Sequence, residues 1–239
     1  VEFLGQEIQL AAHALALRVR AHSGLNAAQT ALLRDVFVRV SAFADLESLG
    51  SFEALGRSWA EGGLHNALLR QMGQATTPAR VRELVEQHRI WGHAAEALTA
   101  RAPIRRPAPR AADGRVRLGI MSSDLRDHPV GYFALPLLEH IDRSRFEVFV
   151  YSYYRGPADA VQSRVQALAD RFYLWPEIAA RDAAQRIADD QLDLLIELGG
   201  STYMNKLEVM AYRPAPLQAS WLGYPHSSGL TTIDHYICD

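Results

Sequence analysis

Five short apolar runs, at residues 116–120, 146–151, 172–174, 192–198 and 217–222, constrain the fold more than any other feature of this chain. They alternate with segments of helical periodicity at 131–141, 158–170, 179–190 and 205–212. Runs this short and this uniformly apolar read as strands buried on both faces. Strands that alternate with helices imply βαβ units, and hence a parallel sheet with right-handed crossovers. Pro136, inside the first helical segment, predicts a kink or an early end there. His235 to Cys238 reads as one more strand.

Residues 1 to 100 are different: rich in alanine and leucine, nearly free of proline, and periodic at three and four. Leu10, Ala14 and Leu17 form one stripe, and Leu32, Leu33, Val36, Phe37 and Val40 another. Breaks at Ser23-Gly24, Leu49-Gly50, Gly62-Gly63 and Thr76-Thr77-Pro78 divide the region into about five helices of roughly 10 to 20 residues. Asn26 and Thr77 are in place to cap two of them, with Pro78 in the first turn of the second. Stacked helices of this kind suggest a solenoid, although no clean repeat of about 34 residues recurs. Residues 101 to 115, with three prolines and five arginines, read as a linker. Solvation and interdomain ion pairs account for those arginines more simply than an anionic site does.

With 49% apolar and 22% charged residues and a net charge of −2, the chain has ordinary globular composition. No field of either sign favours nucleic acid or an anionic membrane. No apolar run approaches the ~20 residues of a membrane span, and no signal-peptide pattern opens the chain. The single cysteine, Cys238, cannot form an internal disulfide, which fits a reducing, cytoplasmic setting. The chain starts at Val1 without a methionine and stops just beyond a strand, so it reads as a fragment of a longer protein.

Open α/β sheets bind ligands beyond the carboxyl ends of their strands. Two polar segments lie there: Met121-Ser-Ser-Asp124-Leu-Arg-Asp127-His128-Pro129, and Arg213-Pro-Ala-Pro216-Leu-Gln-Ala-Ser-Trp221-Leu-Gly223-Tyr-Pro225. His128, between a strand and a helix, could serve as a general base near neutral pH, or hydrogen-bond the backbone. Asp124 and Asp127 could orient it or take a proton through water. Against that, Asp127 also suits a helix N-cap, and Asp124 a turn. Gly199-Gly200-Ser201-Thr202 lets a backbone approach a ligand, but it is neither a Walker loop nor a dinucleotide fingerprint. The nine histidines are scattered, with His88 and His93 five apart, so metal ligation has little support.

The run from Ser122-Ser-Asp124 through Asp127-His128-Pro129, then Phe146-Glu-Val-Phe149-x-Tyr151, then Arg213-Pro-Ala-Pro216-x-Gln218-x-x-Trp221-Leu-Gly-Tyr-Pro225 and Ser228-Gly229, strongly resembles one family. It is similar to the amino-terminal catalytic lobe of O-linked N-acetylglucosamine transferases over nearly all of residues 115 to 239. The resemblance implies a tetratricopeptide-like helical region over 1–100, a linker over 101–115, and an α/β Rossmann-like lobe of a GT-B glycosyltransferase over 116–239. It implies transfer of N-acetylglucosamine from UDP-GlcNAc to Ser/Thr hydroxyls, with inversion, no cofactor and no essential metal. A carboxyl-terminal lobe of the same protein would supply most nucleotide contacts, and a protein or peptide acceptor would bind through the helical region.

Carried over by position, His128 matches the family's active-site histidine and Asp124 its nearby carboxylate. Pro129, Leu222, Gly223 and Pro225 match residues lining the donor cleft. Ser201 and Thr202 fall where the family has a Tyr-Thr pair. Asp127 and His88 are acceptor-side candidates. There are departures: Tyr203 replaces a lysine, Val130 stands where animal members have threonine, and His235 replaces a tyrosine. Two other readings stay open, a non-catalytic helical scaffold with a protein-binding α/β module, and a sugar-nucleotide epimerase of the same two-lobed architecture.

Overall fold

The computed structural model describes residues 24–108, 110 and 114–238, so the stripe Leu10, Ala14 and Leu17 lies outside the described residues. The chain divides into two compact units, 1–91 and 92–239.

In the first unit, α1 (Ala27–Arg39), α2 (Phe43–Ser48), α3 (Phe52–Glu61), α4 (His65–Leu68) and a 3-10 turn (Leu69–Gln74) lead into α5 (Pro78–Arg101). Asn26 caps α1 by a reciprocal pair of hydrogen bonds with Gln29, and Ser51 caps α3 through the Ala54 N–H. Leu33 and Phe37 form a small core. Thr30 accepts a buried hydrogen bond from the Trp59 indole, 2.9 Å long, which joins α1 to α3. Helices of 13, 6, 10, 4 and 24 residues stand where lengths of roughly 10 to 20 were expected. The short ones end at Ser48 and Leu68, where Gly50 at φ 137° and the 3-10 turn interrupt the helical hydrogen-bond pattern.

The second unit starts inside α5, not at the proline-rich stretch. The reason is chemical: Glu96 accepts hydrogen bonds from the Thr231 and Thr232 N–H groups, and Gly92 lies so close to the Gly229 carbonyl that a β-carbon would come within 2.0 Å of it. Residues 102–108 form a strap. Arg105 and Gln185 exchange two hydrogen bonds, Arg105 pairs with Asp189, and Arg181 donates to the Ala102 and Pro103 carbonyls. Most of the linker arginines are therefore occupied by ion pairs and carbonyls within this unit.

A six-stranded, wholly parallel sheet follows, in the order β3-β2-β1-β4-β5-β6. Its strands are β1 (Val116–Ser122), β2 (Phe146–Ser152), β3 (Arg171–Leu174), β4 (Leu194–Glu197), β5 (Leu217–Trp221) and β6 (His235–Ile237). The crossover helices are α6 (Pro129–His140), α7 (Ala160–Leu168), α8 (Ala180–Asp189) and α9 (Glu208–Ala211). Leu118, Ile120, Val148, Val150 and Ile196 pack with Val130, Ala134 and Leu138 of α6 and Val165 of α7. Ala183, Ala184, Ile187 and Ala188 of α8 are buried as well. Burial of strand side chains on both faces is why the runs read as continuously apolar. Helix α6 runs through Pro136.

The chain leaves β1 toward β2 on one side and leaves β4 toward β5 on the other. This reversal between adjacent strands opens the crevice in which such sheets bind ligands.

Candidate functional site

Three loops converge at the carboxyl edge of the sheet, after β1, β4 and β5. Glu197, the last residue of β4, is 2% exposed in an otherwise apolar run. Buried carboxylates need partners. One oxygen accepts from the Gly199 N–H at 2.9 Å and the Gly200 N–H at 2.6 Å; the other accepts from the Ser220 hydroxyl of β5. Glu197 thus shapes the glycine turn and ties it to the neighbouring strand.

Asn205, 7% exposed, ties the β4 loop to the β1 loop. Its Oδ1 accepts from the Ser123 N–H at 2.8 Å, and its Nδ2 donates to Asp124 Oδ2 at 2.9 Å and to Thr202 Oγ1 at 2.7 Å. The Thr202 hydroxyl donates in turn to the Gly199 carbonyl, 2.7 Å away. Asp124 is 5% exposed, and its other oxygen faces the Arg126 guanidinium at 3.4 Å. Arg126 lies over the Tyr154 ring, and Lys206, the only lysine of the chain, over the ring of buried Tyr153.

His128, rather than Asp127, is the N-cap of α6: its Nδ1 accepts from the Val130 N–H at 3.2 Å. The preference of a residue before proline for extended backbone gives His128 the cap geometry, φ −159° and ψ 149°. In the neutral ring, an accepting Nδ1 leaves the proton on Nε2, which then donates. Asp127 instead accepts from the Tyr132 hydroxyl at 2.8 Å, and its own N–H donates to Asp159. The hydrogen bond to the Asp127 carboxylate, and then its charge, raise the Tyr132 pKa above the ordinary phenol value.

In the β5 loop, a β-carbon on Gly223 would lie 1.8 Å from the Leu198 carbonyl oxygen and 3.2 Å from a Val130 methyl, so only glycine lets the three loops meet. Leu222 beside it has φ 75°, a region costly for a bulky side chain. Tyr224 is buried, and burial raises its pKa while the Ser201 hydroxyl against it acts in the opposite sense. Burial also holds His226 below the ordinary histidine value.

The structure therefore brings Asp124, Thr202 and Gly223 onto converging loops, with His128, Pro129, Leu222 and Pro225 on the same segments. Two of the expected residues are fully buried. Ser201 is fully buried, against Tyr224. His88 belongs to the first unit and is fully buried, with Nδ1 2.7 Å from the Leu84 carbonyl. Glu197 and Asn205 were not singled out from sequence. A carboxylate inside a buried strand was the available signal for Glu197, because such a group must be paired. Among the described residues, no three His, Cys, Asp or Glu side chains cluster as a metal site would require.

A cavity of about 250 Å³ lies at the opposite edge of the sheet, lined among others by Arg106, Arg110, Asp193, Arg213 and Pro216. Its guanidiniums already donate to the Tyr212 and Pro216 carbonyls and to Asp193 and Asp234. The crevice at the carboxyl edge is the better site on topology and on its converging polar groups.

Over 135 residues the chain is 39% identical to a probable UDP-N-acetylglucosamine–peptide N-acetylglucosaminyltransferase, SPINDLY, of Oryza sativa, covering 55% of this chain and 14% of that protein. Over 126 residues it is 36% identical to the UDP-N-acetylglucosamine–peptide N-acetylglucosaminyltransferase of Caenorhabditis elegans, covering 52% and 11%. The chain thus spans a small part of the curated relatives it matches. A solved lysine-to-methionine mutant of the Thermobaculum terrenum O-GlcNAc transferase aligns over 100% of this chain and 55% of its own, with a TM-score of 0.54 at 22% identity, and shares the fold. The model of glycosyl transferase family 41 matches residues 88–239, and the chain belongs to that family.

Proposed function

We propose that the whole protein transfers N-acetylglucosamine from UDP-GlcNAc to Ser/Thr hydroxyls of proteins, with inversion, and that this chain supplies the acceptor-side half of the active site. The observation that carries the reading is the Asp124–Asn205–Thr202 network, set in the switch-point crevice of a family 41 lobe. Inversion needs in-line attack on the sugar, with a proton acceptor on the face opposite the leaving diphosphate.

Of the two candidate acceptors, Asp124 is the better placed. His128 uses Nδ1 as a helix cap, so a neutral His128 carries its proton on Nε2, which can donate but not accept. An ionised Asp124 keeps lone pairs beyond its bonds to Asn205 and Arg126 and can take a proton directly or through one water. His128 orients a sugar or acceptor oxygen, while Leu222, Gly223, Pro129 and Pro225 shape the cleft wall. In this reading the reaction needs no metal and no cofactor. A carboxyl-terminal lobe of the GT-B kind holds the uridine and diphosphate, and tetratricopeptide-like helices of the first unit hold the protein acceptor. The protein works in the cytoplasm: its one cysteine, Cys238, is exposed and free, and none of the described helices is long and apolar enough to cross a membrane.

Turnover of full-length protein with UDP-GlcNAc and a peptide acceptor separates the two roles. Asp124→Asn should lower kcat by about a hundredfold or more, the usual range for losing general-base help. His128→Asn keeps a side-chain cap and an N–H donor, and should stay within about tenfold of wild type. The opposite order would make His128 the base.

A further inference from the structure

We infer that Asn205 is the positioning residue of this site: its carboxamide fixes the Asp124 carboxylate against the β4 loop, and the reaction depends on it through Asp124. This rests on the reading of Asp124 as the proton acceptor.

Every polar atom of the Asn205 side chain is engaged. Oδ1 accepts from the Ser123 N–H, one Nδ2 hydrogen goes to Asp124 Oδ2 and the other to Thr202 Oγ1. Thr202 has given its own hydrogen to the Gly199 carbonyl, so it can receive from Asn205 but not compete with it. The amide cannot be turned over. Reversed, its oxygen would face the carboxylate and its NH2 would face the Ser123 N–H, two repulsive contacts in place of two hydrogen bonds. The acceptor oxygen of Asp124 is therefore set by a group 81 positions later in the chain, on another loop. A methyl group at Gly199 would fall 2.0 Å from the Asn205 amide carbon, so the glycine leaves the carboxamide the room it needs. Glu197 holds that glycine by its N–H.

The charged groups on the segments that meet at this site are Arg126, Asp127 and His128 on the β1 loop, Glu197 and Lys206 on the β4 side, and Asp159 at the start of α7, which binds the Asp127 N–H. Among the described residues, the ion pair to Asp124 comes from Arg126, at 3.4 Å. Asn205 makes the shorter contact. An uncharged donor of this kind orients the carboxylate without neutralising it.

The test is a double-mutant cycle on the full-length enzyme with UDP-GlcNAc and a peptide acceptor, with UDP affinity and thermal melting measured alongside. Asn205→Ala should lower kcat by tens of fold, since misplacing a reacting group by about 1 Å costs on this order. UDP affinity should stay within about twofold. Gly199→Ala, which displaces the amide without deleting it, should reproduce the loss. Asn205→Asp, close in shape, puts a second carboxylate against Asp124, and the pair should retain a proton to higher pH. The acid limb of the kcat profile should then move up by about a pH unit or more.

In the Asp124→Asn background, Asn205→Ala should cost less than about twofold further, because its effect passes through Asp124. Additive losses, or an Asn205→Asp enzyme with a wild-type pH profile, would overturn the role of Asn205 while leaving that of Asp124 intact. If Asp124→Asn alone left kcat unchanged, the reading of Asp124 would fail, and the inference with it.

Discussion

At the residue scale, the histidine and aspartates of the β1 loop were visible in sequence, but the division of labour among them was not. A histidine before a proline can serve as base, donor or cap, and of these the 3.2 Å contact with the Val130 N–H shows the cap. That contact predicts a stability effect beside the kinetic one. His128→Ala should destabilise the lobe by about 1 kcal/mol, the usual worth of a cap, and His128→Asn by much less; urea titration checks both. Asn205 was illegible for a different reason. An asparagine eight residues past a strand looks like loop punctuation, and its partners Ser123 and Asp124 lie more than 80 positions earlier. Pairings across such distances leave no periodic trace in the chain.

At the element scale, the α/β half was legible because buried parallel strands are apolar throughout and their crossover helices are amphipathic. The observed strands fall on the runs read from sequence to within about two residues, a normal uncertainty for element ends. The helical half was less legible: α2 and α4, at 6 and 4 residues, are too short to show a period. Two predictions belong here. Gly223→Ala should destabilise the lobe by at least about 1–3 kcal/mol, as overpacking does, because its methyl would strike the Leu198 carbonyl. Denaturation by urea reads this directly.

The second concerns Asp234, whose carboxylate joins the start of β5 to the segment leading into β6. It accepts from Arg213 at 2.8 Å and from the Gln218 N–H at 2.9 Å. The hydrogen bond from Arg213 foremost, then that from Gln218, hold its pKa below the ordinary aspartate value. A depressed carboxylate contributes stability above its unfolded pKa of about 3.9 and loses it as pH falls through the lower folded value. Asp234→Asn should therefore flatten the fall of Tm below about pH 4, with little change in its slope near neutrality.

At the scale of the whole molecule, the described residues form one Rossmann-like lobe and one helical unit, and the chain spans a small part of the family 41 relatives it matches. Residues 1–239 alone should bind UDP weakly and transfer nothing, because the crevice has no recognisable phosphate loop. Titration calorimetry against the full-length protein tests this; tight binding by the shorter chain would place the diphosphate on the Gly199 loop or the α6 amino terminus. Removing residues 1–91 from the full-length protein should weaken use of protein acceptors and leave UDP affinity nearly unchanged. Solenoid-like helices offer extended surfaces for a chain, not convergent polar groups for a nucleotide.

The proposed transfer is tested most simply by the intact mass of a serine- and threonine-bearing acceptor after incubation with full-length protein and UDP-GlcNAc. The account predicts added N-acetylhexosamine, one per modified hydroxyl, with the rate cut about a hundredfold or more in Asp124→Asn. An acceptor left at its starting mass by the wild-type enzyme, or modified as fast by Asp124→Asn, would contradict it.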